Sequence, residues 1–200
     1  MKWNLKNIVK ETSHPFLNFY TLKYEVDFGD HLEEYSYFLA SRHEKEDLLP
    51  FTHDFSRPDG VLIVLYLKEE NNGHKFLLSR QFRPAIGSYV YSFPAGLMDK
   101  DDSSILETAI REAKEEAGAT IKNLEIICKT GSCSSGMSDE TNAIVLGEID
   151  SIAQNNLEEF EDISARLYSK EEVKKMLKDD QYFFADVARL ALLYLLERFR

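Results

Sequence analysis

An α+β fold with a mixed sheet is predicted for this 200-residue chain, and two features of the sequence predict it. Segments that resemble strands are joined by hairpin turns, of which Asn71-Asn72-Gly73 is the strongest. Only three segments have a helical period, and two of them lie within residues 170–198. Hairpins with few helices are typical of α+β domains, whereas strands alternating with helices would indicate a parallel sheet.

The first two predicted strands form one hairpin. Gly29-Asp30 is the turn between residues 17–28 and 32–42, which are rich in aromatic and β-branched residues. A two-stranded hairpin is marginally stable alone, so it must cover another surface, and that surface can belong to a second copy of the chain. The other predicted strands are 59–70, 74–83, 88–96, 124–131, 141–150 and one within 159–169.

A linker is predicted at residues 43–58, which are charged and contain Pro50 and Pro58. We therefore expect an N-terminal β-hairpin module with its linker at 1–56, followed by a larger domain at 57–200.

The composition excludes several classes of protein. Hydrophobic residues make up 44% of the chain, enough for a sizeable core, and the net charge of −11 argues against a general nucleic-acid binder. Cys128 and Cys133 lack the partner ligands of a zinc site, and a chain of this length does not require a disulfide between them. The N-terminus is too polar for a signal sequence, and no apolar run could span a bilayer. A cytoplasmic protein is expected.

The most informative helix is predicted at residues 104–117. Ser104 and Glu107 have the spacing of a capping box, and Gly118 is placed to end the helix in a left-handed turn. An apolar stripe is predicted along one face, formed by Leu106, Ile110, Ala113 and Ala117.

Carboxylates gather on this helix although like charges repel each other. Glu112, Glu115 and Glu116 share one face because they are three and four residues apart. We expect Arg111 to hold Glu107 and Glu115, which leaves Glu112 and Glu116 free. Such charge runs are usually solvated helix faces. Here, however, they lie at the boundary of the apolar stripe and follow a Pro-Ala-Gly turn that could bring a backbone carbonyl beside them. Oxygen ligands of this kind suit Mg²⁺ or Mn²⁺ bridging to substrate phosphates.

The segment GLMDKDDSSILETAIREAKEEAG resembles the Nudix box, whose pattern is G-x5-E-x7-R-E-x2-E-E-x-G. The second half, from Arg111 to Gly118, matches fully. In the first half Ser103 stands at the glutamate position, and Gly96 lies one residue too far away. Asp101 and Asp102 are adjacent to Ser103, so a one-residue insertion is the simplest account.

Neighbouring segments resemble those of ADP-ribose pyrophosphatases within the Nudix superfamily. The similar segments are DGVLIVL (59–65), RQFRPAIGSYVYSFPAG (80–96), SSGMSDETNAIVLGE (134–148) and EEFEDI (158–163). The resemblance implies a Nudix α/β/α sandwich and extends from about Arg42 to the C-terminus.

The resemblance also implies metal ligands. The carbonyl of Ala95 and the carboxylates of Glu112 and Glu116 would bind Mg²⁺ or Mn²⁺, while Glu115 would assist directly or through another ligand. Structural roles are implied for the remaining box residues, which are Gly96, Arg111 and Gly118.

Outside the box, Glu140 would be the general base or would position the attacking water. Arg83 would hold a phosphate or the terminal ribose, and Arg42 is a candidate to reach the substrate, including across a dimer contact. Glu140 and Arg83 compete with plainer interpretations as a surface loop acid and a surface ion pair. For Asp59 a turn or cap role is expected, and the five scattered histidines are expected at the surface.

The activity implied is metal-dependent hydrolysis of a nucleoside diphosphate sugar, with ADP-ribose as the leading substrate and AMP and ribose 5-phosphate as products. GDP-mannose or another nucleotide sugar is the alternative within the same class. A Nudix-like sensor that binds such a ligand without turnover is the alternative from another class. A homodimer is expected.

Overall fold

The computed structural model describes residues 1–70, 73–153 and 162–200, and the chain forms two compact units. The first unit consists of Met1–Asp59 and Thr130–Asn142, and the second of Gly60–Lys129 and Ala143–Arg200. The predicted domain boundary after residue 56 stays a prediction. Part of the predicted 71–73 turn and residues 159–161 of the last predicted strand lie outside the described residues.

The first unit contains a three-stranded antiparallel sheet in the order β1-β2-β3. The strands are β1 (Lys2–Lys10), β2 (Asn18–Asp27) and β3 (Leu32–Ser41). The predicted hairpin of β2 with β3 is confirmed, and β1, which was not predicted, adds a third strand to it. β1 escapes sequence analysis because an irregularity between Leu5 and Asn7 breaks its alternation.

Side chains from all three strands form the core of this unit. Ile8, Tyr20, Leu22 and Leu39 are buried together with Leu48. The predicted linker is not featureless. It contains a 3-10 turn at Lys45–Asp47 and the short helix α1 (Leu49–Thr52), which has Pro50 in its first turn, where proline is tolerated.

The second unit is built on a sheet whose main path is β10-β5-β4-β9-β8, with β6 paired to β5 and β7 paired to β4. Its strands are β4 (Gly60–Lys68), β5 (His74–Arg83), β6 (Ser88–Ser92), β7 (Ala95–Leu97), β8 (Ala119–Ser132), β9 (Thr141–Ile152) and β10 (Ile163–Ser169). Its helices are α2 (Ile105–Ala117), α3 (Lys170–Met176) and α4 (Asp186–Arg198).

Alternate residues of β4 belong to two different cores. Val61 and Ile63 pack in the cluster that contains Ala109 of α2, whereas Leu62 packs in the cluster that contains Leu192 of α4. Because successive strand side chains point to opposite faces, α2 covers one face of the sheet and α4 the other. The predicted α+β class with a mixed sheet and a layered α/β/α arrangement is therefore confirmed.

Both predicted ends of helix α2 are confirmed. Ser104 is the N-cap, and its Oγ accepts a hydrogen bond from the Glu107 backbone N–H at 3.2 Å. Gly118 ends the helix with φ of 61°, a left-handed conformation that glycine adopts without steric cost. Within the described residues, no helix is both long and apolar enough to cross a membrane. Cys128 and Cys133 are free thiols.

Candidate active site

The buried face of α2 is not the one that its larger apolar residues suggested. Ile110 is 48% exposed, whereas Glu112 and Glu116 are buried, on the same face as Ala109 and Ala113. The predicted apolar stripe is therefore wrong at Ile110, because small alanines, not large aliphatic residues, allow this helix to approach the sheet. The two carboxylates lie within the buried face instead of at its boundary.

These two carboxylates contact the backbone of the Pro-Ala-Gly turn, in the second unit. Glu116 Oε2 accepts a hydrogen bond from the Ala95 N–H at 3.1 Å. A Cβ atom added at Gly96 would lie only 2.0 Å from Cδ of Glu112. Gly96 thus provides the space that the Glu112 carboxylate occupies, and β7 places the Ala95–Gly96 backbone beside both acids.

Gly96→Ala is expected to weaken binding of Mn²⁺ at least about tenfold, because the new methyl group must displace the Glu112 carboxylate. Calorimetric titration of the intact protein with Mn²⁺ measures this. Gly73→Ala is the matched control, since a Cβ there would make an ordinary contact of 3.5 Å with Glu69. Equal Mn²⁺ affinity in Gly96→Ala and the unaltered protein would contradict this account of the turn.

Arg111 donates hydrogen bonds to three acidic side chains and one backbone carbonyl, and these partners differ in part from those predicted. It donates to Glu112 at 2.7 Å and to Glu115 at 3.0 Å through Nη1. Through Nη2 it donates to Asp102 and to the carbonyl of Leu97, both at 2.9 Å. The predicted contact with Glu115 is confirmed, whereas the expectation that Glu112 is free of Arg111 is wrong.

The predicted contact between Arg111 and Glu107 is also wrong. Glu107 instead accepts hydrogen bonds from the backbone N–H and the hydroxyl of Ser103, at 2.7 and 2.5 Å. These bonds lower the pKa of Glu107 and hold it at the start of α2. Ser103 stands where the Nudix box has its first glutamate. It therefore binds Glu107 at the N-terminus of α2 instead of pairing with Arg111.

Asp102 provides the carboxylate that the first half of the motif lacks. Its side chain is buried and accepts hydrogen bonds from Arg111, from the Thr108 hydroxyl at 2.9 Å and from the Asp99 N–H at 2.9 Å. The hydrogen bond from Arg111 is the main reason that the pKa of Asp102 falls from 3.8 to about 2. Two features of the sequence indicate this role of Asp102: the adjacent acids at 101 and 102, and the one extra residue between Gly96 and Arg111.

Asp102→Asn is expected to lower the free energy of unfolding at pH 7 by about 2 kcal/mol. This is the stabilisation that corresponds to a pKa lowered from 3.8 in the unfolded chain to about 2 in the folded protein. Because the folded-state pKa is the lower one, this stabilisation is present above the unfolded pKa and is lost as pH falls through about 2. Urea unfolding at pH 7 and at pH 3 measures it. The exposed neighbour Asp101→Asn is the control, and equal losses for both variants would contradict the assignment.

The donor set around α2 is chemically suited to a hard divalent cation. Glu112 and Glu116 are buried, and burial raises the pKa of Glu112 although Arg111 opposes this. Together with the Ala95 carbonyl they supply oxygen atoms only, as Mg²⁺ and Mn²⁺ prefer. Glu115 is 46% exposed and is held by Arg111. Among the described residues, no group of three or more His, Cys, Asp or Glu side chains is arranged to hold a metal.

Glu140 lies in the first unit, at the end of the loop that precedes β9. The loop is closed by its own backbone, since the Cys133 N–H donates to the Glu140 carbonyl at 3.0 Å and the Glu140 N–H donates to Ser138 Oγ at 2.9 Å. The Glu140 carboxylate lies 3.5 Å from Nε of Arg42, and both side chains are partly exposed. Two residues predicted from separate segments are therefore neighbours.

Two hydrogen bonds from strand β3 also hold this loop. The Ala40 N–H donates to the Met137 carbonyl at 2.9 Å, and the Tyr37 hydroxyl donates to the Gly136 carbonyl at 2.8 Å. Ala40 and Ser138 also form a parallel bridge. The loop that contains Glu140 is thus held to β3 by backbone contacts.

The same loop forms one wall of a cavity of about 590 Å³ within the first unit. The opposite wall is mainly aromatic and aliphatic, with Trp3, Tyr24 and Tyr37 among its residues. Asp139 is the acidic residue in the lining, and its Oδ1 is buried without a hydrogen-bond partner in the described part of the chain. The size and the apolar lining are those of a small-molecule pocket.

Arg83 is the last residue of β5 and is exposed. Its carbonyl accepts from the N–H groups of Ile86 and Gly87, which forms the turn before β6. Its guanidinium makes no hydrogen bond or ion pair with any residue that the structure describes. The predicted role of Arg83 in holding substrate stays a prediction.

The family follows from the extent of one match. The family model of the NUDIX domain matches residues 56–187. The chain belongs to the NUDIX family. This confirms the family suggested by the second half of the box, and the match includes the Pro-Ala-Gly turn, α2 and the Glu140 loop.

Individual relatives of this NUDIX chain match it over shorter segments than the family model does. Nudix hydrolase 14, chloroplastic, of Arabidopsis thaliana is 30% identical over 73 residues, which are 36% of this chain and 23% of that protein. The ADP-sugar pyrophosphatase of Mus musculus is 38% identical over 60 residues, which are 30% of this chain and 27% of that protein. The chain spans less than half the length of the curated relatives it matches.

A solved structure resembles the fold along nearly the whole NUDIX chain. The crystal structure of an ADP compounds hydrolase matches with a TM-score of 0.69 and 17% sequence identity, over 99% of this chain and 94% of that one. At this identity the likeness establishes the fold.

Proposed function

We propose that this chain is a divalent-metal-dependent pyrophosphohydrolase of nucleoside diphosphate sugars. ADP-ribose is the leading substrate, and AMP and ribose 5-phosphate are the products. The proposal includes Mg²⁺ or Mn²⁺ as the cofactor, a cytoplasmic location and a homodimer.

One observation carries the proposal: Glu112 and Glu116 are buried on α2 against the Ala95–Gly96 backbone. Burying a carboxylate is costly unless it is paired or binds a metal. Arg111 cannot neutralise the group alone, because it is shared among Asp102, Glu112 and Glu115. In the part of the chain that the structure describes, Arg111 thus serves three acids at once, and a divalent cation would add positive charge beside the buried carboxylates of Glu112 and Glu116.

A cation held by Glu112, Glu116 and the Ala95 carbonyl would neutralise negative charge on the oxygens of the diphosphate. The chain's own residues keep this donor set in place. Arg111 and Asp102 fix the α2 side chains, and the turn at Gly96 leaves room for the Glu112 carboxylate.

Glu140 is the proposed general base. Its carboxylate would take a proton from a water molecule while the water oxygen attacks one of the two phosphorus atoms. The bond from that phosphorus to the bridging oxygen breaks, and the bridging oxygen leaves on the other phosphate. The products are AMP and ribose 5-phosphate.

Two arginines are proposed to bind the substrate. Arg83 is exposed and has no described polar partner, so its guanidinium is available to a phosphate or to the terminal ribose. Arg42 lies 3.5 Å from Glu140 and would orient that carboxylate as well as contact the substrate.

Two rivals are set against this proposal. The first is the same reaction on another nucleotide sugar, such as GDP-mannose. The second is a sensor that binds the ligand without turnover, and the altered first half of the box favours it. Asp102 weakens that argument, because it supplies a buried carboxylate to Arg111 in spite of the altered sequence.

The test is release of nucleoside monophosphate from a panel of ADP-ribose, GDP-mannose and UDP-glucose, with Mg²⁺ and with excess chelator. The proposal predicts Mg²⁺-dependent AMP release that is fastest from ADP-ribose. Faster GMP release from GDP-mannose would favour the first rival. Calorimetric binding of ADP-ribose without any AMP would favour the sensor.

A further inference from the structure

A chain of hydrogen bonds in the first unit ends beside Glu140. His43 Nε2 lies 2.7 Å from Oδ1 of Asp59. Oδ2 of Asp59 accepts from the Thr141 backbone N–H at 2.7 Å and from the Thr141 hydroxyl at 3.1 Å. The Asp59 N–H returns a hydrogen bond to the Thr141 carbonyl at 2.9 Å. Because Thr141 follows Glu140 directly, this chain restrains the backbone on the C-terminal side of the candidate base.

The inner part of this chain is shielded from water. The Asp59 side chain is 11% exposed and Thr141 is 5% exposed, whereas the His43 side chain is 32% exposed. Hydrogen bonds to a charged, buried acceptor are stronger than those between neutral groups. His43 is therefore the solvent-accessible end of a contact whose other end is fixed in the loop.

His43 faces three carboxylates, which belong to Asp59, Asp139 and Asp47. Its hydrogen bond with Asp59 is the main reason that its pKa is raised above 6.5, and the charges of Asp139 and Asp47 add to this while burial opposes it. Burial acts to raise the pKa of Asp59, but the hydrogen bonds from His43 and Thr141 lower it overall. The pair is therefore ionic below the pKa of His43.

Other groups near His43 either bind its backbone or pair with charged residues of their own. The Tyr20 hydroxyl donates to the His43 carbonyl at 2.8 Å, and the His43 N–H donates to Ser41 Oγ at 3.1 Å. The adjacent Arg42 is 3.5 Å from Glu140, and Glu44 is paired with Lys10 at 2.6 Å.

We propose that His43 is a positioning residue for Glu140, acting through Asp59 and the Thr141 backbone. In its protonated form it holds Asp59 against Thr141 and thereby sets the direction of the Glu140 carboxylate. When it loses its proton, Asp47, Asp59 and Asp139 face a neutral ring, and the loop loosens. This inference rests on the proposed function, because Glu140 is the base of that reaction.

The sign of the pH dependence follows from the raised pKa. The stabilisation from protonated His43 is fully present below about pH 6.5, the ordinary pKa of histidine, and is lost as pH rises through the higher folded-state pKa. The turnover number should therefore decline on the alkaline side with a midpoint at the pKa of His43.

His43→Gln keeps a hydrogen-bond donor but has no titrating charge. It is expected to lower kcat about tenfold at pH 6, with little change in KM, and to remove the alkaline decline. His31→Gln is the matched control, since His31 pairs with Asp30 at the same 2.7 Å in the same unit but is exposed, and its described partners are Asp30, Glu33 and Phe28. A His43→Gln enzyme with the unaltered rate and pH profile would overturn the proposal.

A readout without turnover separates this inference from the proposed function. In nuclear magnetic resonance spectra of the unaltered protein, the Thr141 amide signal should titrate with the same midpoint as the His43 ring, and the His43→Gln variant should lose that transition. If no substrate is hydrolysed but Thr141 follows His43, the positional coupling stands and the catalytic role of Glu140 falls. A Thr141 amide signal that does not shift as His43 titrates would overturn the coupling itself.

Discussion

Glu116→Gln is expected to lower Mg²⁺-dependent AMP release from ADP-ribose at least about hundredfold, since even residues that act through a metal ligand commonly contribute 10–100-fold. Glu116 is buried, and its Oε2 accepts from the Ala95 N–H. The glutamine keeps the shape but presents one neutral carbonyl oxygen in place of a carboxylate. Steady-state assays across a range of Mg²⁺ concentrations measure the loss.

The control for Glu116→Gln is Glu107→Gln on the same helix, because Glu107 is exposed and binds Ser103. It should retain nearly full activity. A thermal unfolding scan in the presence of chelator shows whether each variant is folded. Folded Glu116→Gln with an unchanged rate would remove the metal-binding role from α2.

Glu140→Gln is expected to lower kcat by about 10²–10⁴-fold, the usual contribution of a positioned general base, while KM changes little. Glutamine cannot take the proton from water, but its amide oxygen can still lie beside the Arg42 guanidinium, which is 3.5 Å from the Glu140 carboxylate, so the loop should keep its position. Single-turnover measurements with saturating ADP-ribose separate the chemical step from binding.

Glu44→Gln is the matched control for Glu140→Gln. Glu44 is an acid of the same unit, and its salt bridge to Lys10 keeps it occupied elsewhere. If Glu140→Gln raised KM in proportion to the loss of kcat/KM and left kcat unchanged, Glu140 would be a binding residue and not the base.

Much of the fold could be predicted because its signals are local. The caps of α2 at Ser104 and Gly118 depend on the residues next to them, and the pairing of β2 with β3 depends on the turn at Gly29. The carboxylates at 112, 115 and 116 could be grouped because helical spacing places them on one side.

The remaining features depend on contacts that are distant in sequence. Nothing within α2 indicates that Ile110 is exposed while Glu112 is buried, because the approach of β7 at Gly96 decides it. The pairing of Arg111 with Asp102 in place of Glu107 depends on the path of the loop before α2. Strand β1 was missed because its irregularity hides the alternation.

The role of His43 was also hidden. Histidines without a second metal ligand nearby are usually surface residues, and His43 was expected to be one. Its partner Asp59 is close in sequence, but Asp59 contacts the Glu140 loop through Thr141, which is 82 positions away. A contact of that separation has no local signature.

The most direct test of the metal site is a crystal of the unaltered protein with Mn²⁺ and a non-hydrolysable methylene analogue of ADP-ribose. Anomalous scattering locates Mn²⁺ without ambiguity. The account predicts Mn²⁺ in contact with the carboxylates of Glu112 and Glu116 and with the diphosphate analogue. Mn²⁺ and analogue bound together elsewhere, with these two carboxylates in contact with neither, would contradict it.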